Sequence, residues 1–173
     1  VRYKGETIVK TPMDYNLAIE IAKDIISVPN CEVLLSGEKT AYIMPKTEEY
    51  LIRMTKVVQY KTTIIKSLDE IQEDILKVSV CDLSGIANSE KYFADKWSDK
   101  AAAAVSGDQY MDFMDLCVSK GDALKKVQKI YGIYRSECMA FGDNYNDCEM
   151  LKQADFSYAM ASAADDIKKN ALY

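Results

Sequence analysis

Histidine does not occur anywhere in the 173 residues of this chain. Its absence excludes Ser-His-Asp and Cys-His nucleophile systems, and it also excludes zinc sites built on histidine. The five cysteines are scattered along the chain, and none of them forms a C-x-x-C pair. This cysteine usage predicts reduced thiols in a cytosolic protein rather than a disulfide framework.

Long apolar runs and an excess of positive charge are also missing. No run approaches the roughly 18 residues that a membrane-spanning helix needs, and the start of the chain, Val1 to Gly5, does not resemble a signal peptide. A net charge of −5 argues against a nucleic-acid partner, because such binding depends on neutralising phosphates with lysine and arginine. We therefore expect a cytoplasmic protein that binds neither nucleic acid nor membrane, and the sequence indicates no particular oligomeric state.

The part of the chain from residue 12 to 115 has an α+β pattern, in which hairpin-like strand pairs are combined with helices. The stripe of apolar residues at helical spacing over 15–27 predicts its first helix. The other elements predicted in this part are helices over 47–60, 67–73 and 86–98, and strands over 31–35, 40–44, 75–81, 101–106 and 110–116.

From Ser119 onwards, helices and strands alternate. The predicted elements are, in order, a helix over 119–131, a strand over 137–141, a helix over 147–153, a strand over 156–160 and a helix over 163–171. Such alternation indicates a parallel sheet with helical crossovers. We therefore predict an α/β fold, in which a partial Rossmann-like core of residues 1–11 and 116–173 carries an inserted α+β domain at 12–115.

The acidic loop, which we define as Gly142-Asp143-Asn144-Tyr145-Asn146-Asp147, is the most informative stretch of the chain. An apolar run precedes it and a helix-like segment follows it, so that two carboxylates four positions apart lie where a strand ends and a helix begins. This is the usual geometry for a hard metal ion and a phosphate. Taken alone, Asp143 and Asp147 could instead cap a turn and a helix, and Lys120 could be a solvated surface lysine.

Three motifs together carry a resemblance to a known family. They are, in chain order, Ser119-Lys120-Gly121, Gly142-Asp143-x-x-Asn146-Asp147-x-x-Met150 and Tyr158-Ala159-Met160-x-x-Ala163. This set resembles the haloacid dehalogenase phosphohydrolase superfamily and, within it, the Cof-type sugar-phosphate phosphatases. The α+β segment before Lys120 matches the position of that family's inserted cap domain. The resemblance implies a Mg²⁺-dependent phosphatase that hydrolyses a small phosphorylated metabolite, such as a sugar phosphate, through an aspartyl-phosphate.

The resemblance also implies a role for each residue of the motifs. Asp143 resembles the residue that ligates Mg²⁺ directly, and Asp147 resembles the second carboxylate at the metal, which holds a metal-bound water or orients the lysine. Lys120 is similar to the cation that pairs with the nucleophile and the transferring phosphoryl group, and Asn146 to a polar contact of that group or of the lysine. Lys120 and Asn146 are therefore the expected phosphate contacts, and Lys120 and Asp147 the expected catalytic residues.

The nucleophile motif of that family, Asp-x-Asp-x-Thr, does not occur in this sequence. In relatives its first aspartate becomes the aspartyl-phosphate, and its second acts as general acid and base. The chain also begins without methionine. We therefore expect a fragment that comprises the cap and the second half of the core, with little or no turnover of its own.

Two other functions stay open at this point. A chain without the nucleophile could be a non-catalytic binding or regulatory protein of the same family. A phosphomutase-type relative with a similar cap would differ only in substrate contacts that no motif marks. The residues encoded just upstream of Val1 discriminate between an enzyme and a binding protein, because Asp-x-Asp-x-Thr after an apolar strand would favour the enzyme.

Overall fold

A computed structural model describes residues 1–58 and 61–173. The chain forms two compact units. The first unit comprises Val1–Lys10 and Cys117–Tyr173, and the second unit comprises Thr11–Leu116. The second unit is therefore inserted into the first along the chain.

Short helices and strands build both units. The helices are α1 Tyr15–Ser27, α2 Glu48–Ile52, α3 Glu90–Trp97, α4 Lys120–Tyr131, α5 Cys148–Lys152 and α6 Asp165–Lys168. The strands are β1 Arg2–Tyr3, β2 Glu6–Thr7, β3 Cys31–Ser36, β4 Ala41–Ile43, β5 Thr62–Ile64, β6 Lys77–Asp82, β7 Ala102–Val105, β8 Tyr110–Met114, β9 Met139–Gly142 and β10 Phe156–Ala159. Within the described ranges, no helix has the length and apolar character needed to cross a membrane.

A six-stranded sheet with the order β5-β4-β3-β6-β8-β7 forms the centre of the second unit. Its neighbouring strands run antiparallel, except that β5 runs parallel to β4. The hairpin predicted over residues 31–44 is confirmed, with Leu35 opposite Tyr42. The strand β5 was not expected from the sequence, because its residues lie at an exposed edge and show no apolar alternation.

The alternation of side chains along β3 gives the sheet two apolar faces. Val33 and Leu35 pack in one core with Ile21 of α1, and residues of α3 join the same core. Leu34, between them, packs with Tyr50 of α2 in a separate core. The helices α1 and α3 therefore cover one face of the sheet, and α2 covers the other.

Two helices predicted in this unit are interrupted. The helix expected over 47–60 begins as α2 but continues as a π-helical turn, Arg53–Val57, and the end of that prediction lies outside the described residues. The helix expected over 86–98 is broken at Ser89, whose hydroxyl donates to the buried carboxylate of Asp82 at 2.9 Å. The bond to Asp82 ties Ser89 to the end of β6 and offers its hydroxyl an alternative to the helix.

The first unit contains a two-stranded parallel sheet of β9 and β10, in addition to the antiparallel hairpin of β1 and β2. Phe141 lies opposite Tyr158 in the parallel pair, and α5 lies between the two strands in the chain. Ala140, Leu151 and Ile167 belong to the buried core of this unit. Parallel strands need such a crossover, so this arrangement confirms the predicted α/β class.

The carboxylate of Asp24 joins α1 to α3 in the second unit. It accepts hydrogen bonds from Trp97 Nε1 at 2.8 Å, from the Tyr92 hydroxyl at 2.9 Å and from Lys96 Nζ at 2.5 Å. Only 8% of the Asp24 side chain is exposed. Burial by itself raises the pKa of Asp24, but the hydrogen bonds from these three donors outweigh it, so the pKa lies below its ordinary value.

We expect Asp24→Asn to lower the free energy of unfolding of the second unit by about 1 to 3 kcal/mol, because it weakens hydrogen bonds to a buried charged acceptor. Trp97 is the only tryptophan in the sequence, so its fluorescence during urea unfolding reports on this unit. Since the folded pKa of Asp24 is lowered, its contribution is present above the unfolded pKa of about 3.9 and is lost as the pH falls through the folded value.

Asp95→Asn is the matched control for this prediction. Asp95 forms an exposed ion pair with Lys91 at 2.6 Å within α3, and exposed pairs contribute little to stability. Its unfolding curve should coincide with that of the unchanged protein. An equal loss of stability in both variants would contradict the role given to Asp24.

Candidate functional site

Asp147 is a buried residue whose side chain binds the backbone of the acidic loop. It ends a 3₁₀ turn, Tyr145–Asp147, and only 5% of its side chain is exposed. Its Oδ2 accepts hydrogen bonds from the backbone N–H groups of Asp143 at 3.0 Å and of Asn144 at 3.2 Å. The four-residue spacing read from the sequence therefore lets the second carboxylate of the loop hold the backbone around the first.

Lys120, the first residue of α4, contacts the same carboxylate from the other side. Its Nζ donates to Asp147 Oδ1 and lies 3.4 Å from Asn146 Oδ1. These partners lie 27 and 26 residues further along the chain. The fold therefore brings together Lys120, Asn146 and Asp147, three of the four residues that the sequence motifs marked.

Two glycines permit the close approach of the backbone segments that carry this cluster. A Cβ on Gly121 would lie 2.6 Å from the backbone carbonyl carbon of Glu149, so the first turn of α4 can approach α5 this closely only without a side chain. A Cβ on Gly142 would lie 2.5 Å from Cβ of Asp147. The contact between Lys120 and Asp147 depends on the absence of a side chain at both positions.

Asp143 directly follows β9 and is exposed. Among residues 1–58 and 61–173, no group of three or more acidic, cysteine or histidine side chains lies close enough to hold a metal ion. Mg²⁺ does not require such a group, because it usually keeps several waters and uses one or two carboxylates. Asp143 therefore fits as a Mg²⁺ ligand, whereas both oxygens of Asp147 already accept hydrogen bonds.

The charge of Asp147 is stabilised by its partners. Burial alone raises the pKa of this carboxyl group, but the hydrogen bonds from Lys120 and from the N–H groups of Asp143 and Asn144 outweigh it. The pKa of Asp147 is therefore held below its ordinary value, and the side chain is a carboxylate at neutral pH. The negative charge of Asp147 keeps the Lys120 ammonium beside the loop.

One partner of the acidic loop, Asp166 of α6, was not identified from the sequence. The Tyr145 hydroxyl donates to Asp166 Oδ2 at 2.9 Å, and this hydrogen bond raises the pKa of Tyr145. Asp166 lies 21 residues after Tyr145 and belongs to an acidic pair at the start of α6. Such a pair is an ordinary helix-start signal, so no local pattern linked it to the loop.

Comparisons with known proteins agree with these motifs. The model of the haloacid dehalogenase-like hydrolase family matches residues 1–173. The chain is 24% identical over 172 residues to 5-amino-6-(5-phospho-D-ribitylamino)uracil phosphatase YbjI of Escherichia coli strain K12, a match that covers 98% of the chain and 63% of that protein. The family resemblance expected from the sequence is thereby confirmed.

Solved structures show the same fold. The crystal structure of SMU.1108c from Streptococcus mutans UA159 matches with a TM-score of 0.76 at 28% identity, over 98% of the chain and 65% of that structure. A HAD/COF-like hydrolase from Plasmodium vivax matches with a TM-score of 0.79 at 19% identity, over 96% of the chain and 60% of that structure. The chain therefore spans somewhat less than two thirds of the length of these relatives.

We expect Gly121→Ala to destabilise the first unit by about 1 to 3 kcal/mol, because the added methyl group overlaps the backbone of Glu149 and forces α4 away from α5. Urea unfolding followed by far-ultraviolet circular dichroism measures this loss. Lys125→Ala, at an exposed position of the same helix, is the matched control and should be neutral. Coincident unfolding curves for Gly121→Ala and the unchanged protein would contradict the close approach of the two helices.

Proposed function

The chain belongs to the haloacid dehalogenase-like hydrolases, and from this premise we propose that it carries part of the phosphoryl-transfer site of a phosphatase. The substrate class that we propose is a small phosphorylated metabolite, a sugar phosphate or a similar compound. The observation that carries this proposal is the cluster of Lys120, Asn146 and Asp147 beside Asp143. Phosphoryl transfer depends mainly on positioning and charge stabilisation, and this cluster offers a fixed cation, an amide and a carboxylate.

We assign Lys120 to the phosphoryl group of the substrate. About half of its side chain is exposed, so its ammonium can contact an anion while one of its donors stays on Asp147. Asn146 lies beside the same ammonium and can donate its amide N–H to a phosphoryl oxygen. Both groups are held in place before substrate binds, which lowers the cost of reorganising the site.

We assign Mg²⁺ to Asp143. When bound, the ion would neutralise negative charge on the phosphoryl oxygens. Asp147 positions the residues of this site, because its Oδ2 accepts a hydrogen bond from the backbone N–H of Asp143 and its Oδ1 accepts one from Lys120. Of the two roles expected for Asp147, holding a metal-bound water or orienting the lysine, these contacts favour the second.

The aspartate that would attack phosphorus is not part of the sequence, which contains no Asp-x-Asp-x-Thr. We therefore propose that the 173-residue polypeptide binds Mg²⁺ and phosphate but does not turn over. We assign residues 12–115 the role of the cap, since an insertion before the lysine motif has that role in the family. The comparison with YbjI names a phosphorylated ribitylamino-uracil as the substrate of that protein, which is consistent with a sugar-phosphate-like substrate here.

The missing motif also favours a second candidate, a non-catalytic binding or regulatory protein of the same family. Such a protein would keep the phosphate contacts and lack the nucleophile. Reading the gene upstream of the codon for Val1 separates the two candidates. An Asp-x-Asp-x-Thr after an apolar strand supports the phosphatase, and an intact product without it supports the binding protein.

We expect Mg²⁺ and inorganic phosphate, added together, to shift the backbone amide signal of Gly142 in protein labelled with ¹⁵N-glycine. The chain has only 7 glycines, so the individual signals can be resolved. Lys120→Gln should weaken phosphate binding at this site by about tenfold or more, because a charge-assisted contact is lost. Asp143→Asn should remove the dependence of phosphate binding on Mg²⁺.

Lys125→Gln removes an exposed lysine from the same helix and is the control. Its titration curve should match that of the unchanged protein. The proposed site would be refuted if the Gly142 signal did not shift when Mg²⁺ and phosphate were added. It would also be refuted if the signal shifted equally in Lys120→Gln and in the unchanged protein. Mg²⁺-dependent hydrolysis of p-nitrophenyl phosphate by the 173-residue chain would refute the proposal that these residues do not turn over.

A further inference from the structure

The second unit contains a cavity of about 490 Å³, which we call the arginine pocket. It lies where β6 ends, beside the turn between β7 and β8 and the π-helical turn after α2. The lining residues used below are Arg53, Gly85, Gly107, Asp108, Gln109 and Tyr110. Its volume lies within the range of small-molecule sites, which is roughly 300 to 1,000 Å³.

Arg53 enters this pocket from an unusual backbone conformation. It begins the π-helical turn Arg53–Val57, in which the N–H of Val58 donates to the carbonyl oxygen of Arg53 at 2.9 Å. Such turns are rare, and they occur frequently at functional sites because they redirect side chains away from the α-helical pattern. The sequence of this segment predicted an uninterrupted helix, so the conformation has no evident local cause.

The guanidinium of Arg53 is held in a fixed orientation. Its Nη1 donates to Gln109 Oε1, and Gln109 Nε2 donates in turn to the carbonyl oxygen of Leu83 at 2.7 Å. The guanidinium also lies over the ring of Tyr110, 5.6 Å from its centroid. A side chain fixed on two sides loses little conformational freedom when it binds a ligand.

The guanidinium of Arg53 has more N–H donors than its hydrogen bond to Gln109 uses. A guanidinium has five N–H donors in a planar fork. One of them, on Nη1 of Arg53, donates to the amide oxygen of Gln109. The planar fork matches two oxygens of a carboxylate or a phosphate. The pocket therefore has the chemistry to bind an oxyanion.

The remaining wall of the pocket allows a ligand to approach the backbone. A Cβ on Gly107 would meet no atom within 4 Å, and a Cβ on Gly85 none closer than 3.8 Å. Asp108 also lines the pocket and lowers its affinity for anions, but it is exposed and therefore screened by water. Its carboxylate can accept hydrogen bonds from hydroxyl groups of a ligand.

We propose that the arginine pocket binds the carboxylate or phosphate group of a small hydroxylated metabolite, with Arg53 as the anion-binding residue and Gln109 as its positioning residue. The site lies wholly within the second unit. It does not depend on the phosphoryl-transfer role of Lys120. Carboxylates and phosphates both present oxyanions to the guanidinium. Citrate serves as the carboxylate probe and inorganic phosphate as the phosphate probe, so that the two ligand classes can be distinguished.

The test uses the full chain labelled with ¹⁵N-glycine, titrated separately with citrate and with inorganic phosphate in the absence of Mg²⁺. We expect at least one probe to shift the amide signals of Gly85 and Gly107. Arg53→Gln should weaken the binding of that probe at least tenfold, because the substitution removes the positive charge of the guanidinium. The remaining glycine signals of Arg53→Gln should keep their positions, which shows that the variant is folded.

Two controls keep this proposal separate from the proposed function. Lys56→Gln removes an exposed lysine from the same π-helical turn and should leave the response of Gly85 and Gly107 unchanged. Lys120→Gln should also leave it unchanged, although the same variant weakens the response of Gly142 to Mg²⁺ and phosphate added together. The proposal is overturned if neither probe shifts Gly85 and Gly107, if Arg53→Gln responds like the unchanged protein, or if Lys120→Gln abolishes the shift.

Discussion

The buried carboxylate of Asp147 is the contact on which the candidate site depends. One of its oxygens holds two backbone N–H groups of the acidic loop, and the other holds the ammonium of Lys120. A buried charge is stable only when such donors surround it. The same donors that make this charge tolerable also fix the loop and the lysine, so the stability of the residue and the geometry of the site have one cause.

The two units hold the side chains of Lys120 and Arg53 in different ways. Lys120 is a flexible side chain that is fixed by a carboxylate, and it keeps its position through charge. Arg53 is fixed by the neutral amide of Gln109 and by the ring of Tyr110, so its own charge is not neutralised by its partners. An ammonium paired with a carboxylate suits a site in which a metal shares the charge, whereas a guanidinium held by neutral groups suits direct binding of an anion.

The parts of the fold that follow from local patterns were predicted well. The helix over 15–27 agrees with α1 to the residue, because its apolar stripe and its flanking breakers lie close together in the chain. The strand β5 and the π-helical turn Arg53–Val57 were missed. The first is a polar edge strand defined by backbone pairing with β4, and the second begins at Arg53, whose side chain contacts the distant residue Gln109. Neither interaction produces a periodic pattern of apolar residues in the local sequence.

The sequence by itself determined the family motifs and the acidic loop, because Asp143, Asn146 and Asp147 lie within one turn whose geometry depends on near neighbours. It also determined the alternation that makes the first unit α/β. Only the tertiary structure decided that Lys120 reaches Asp147, since that contact requires two helices to approach where Gly121 leaves room for the opposing backbone. Contacts between residues far apart in the chain depend on how helices and strands pack, and the spacing of residues within one segment does not specify that packing.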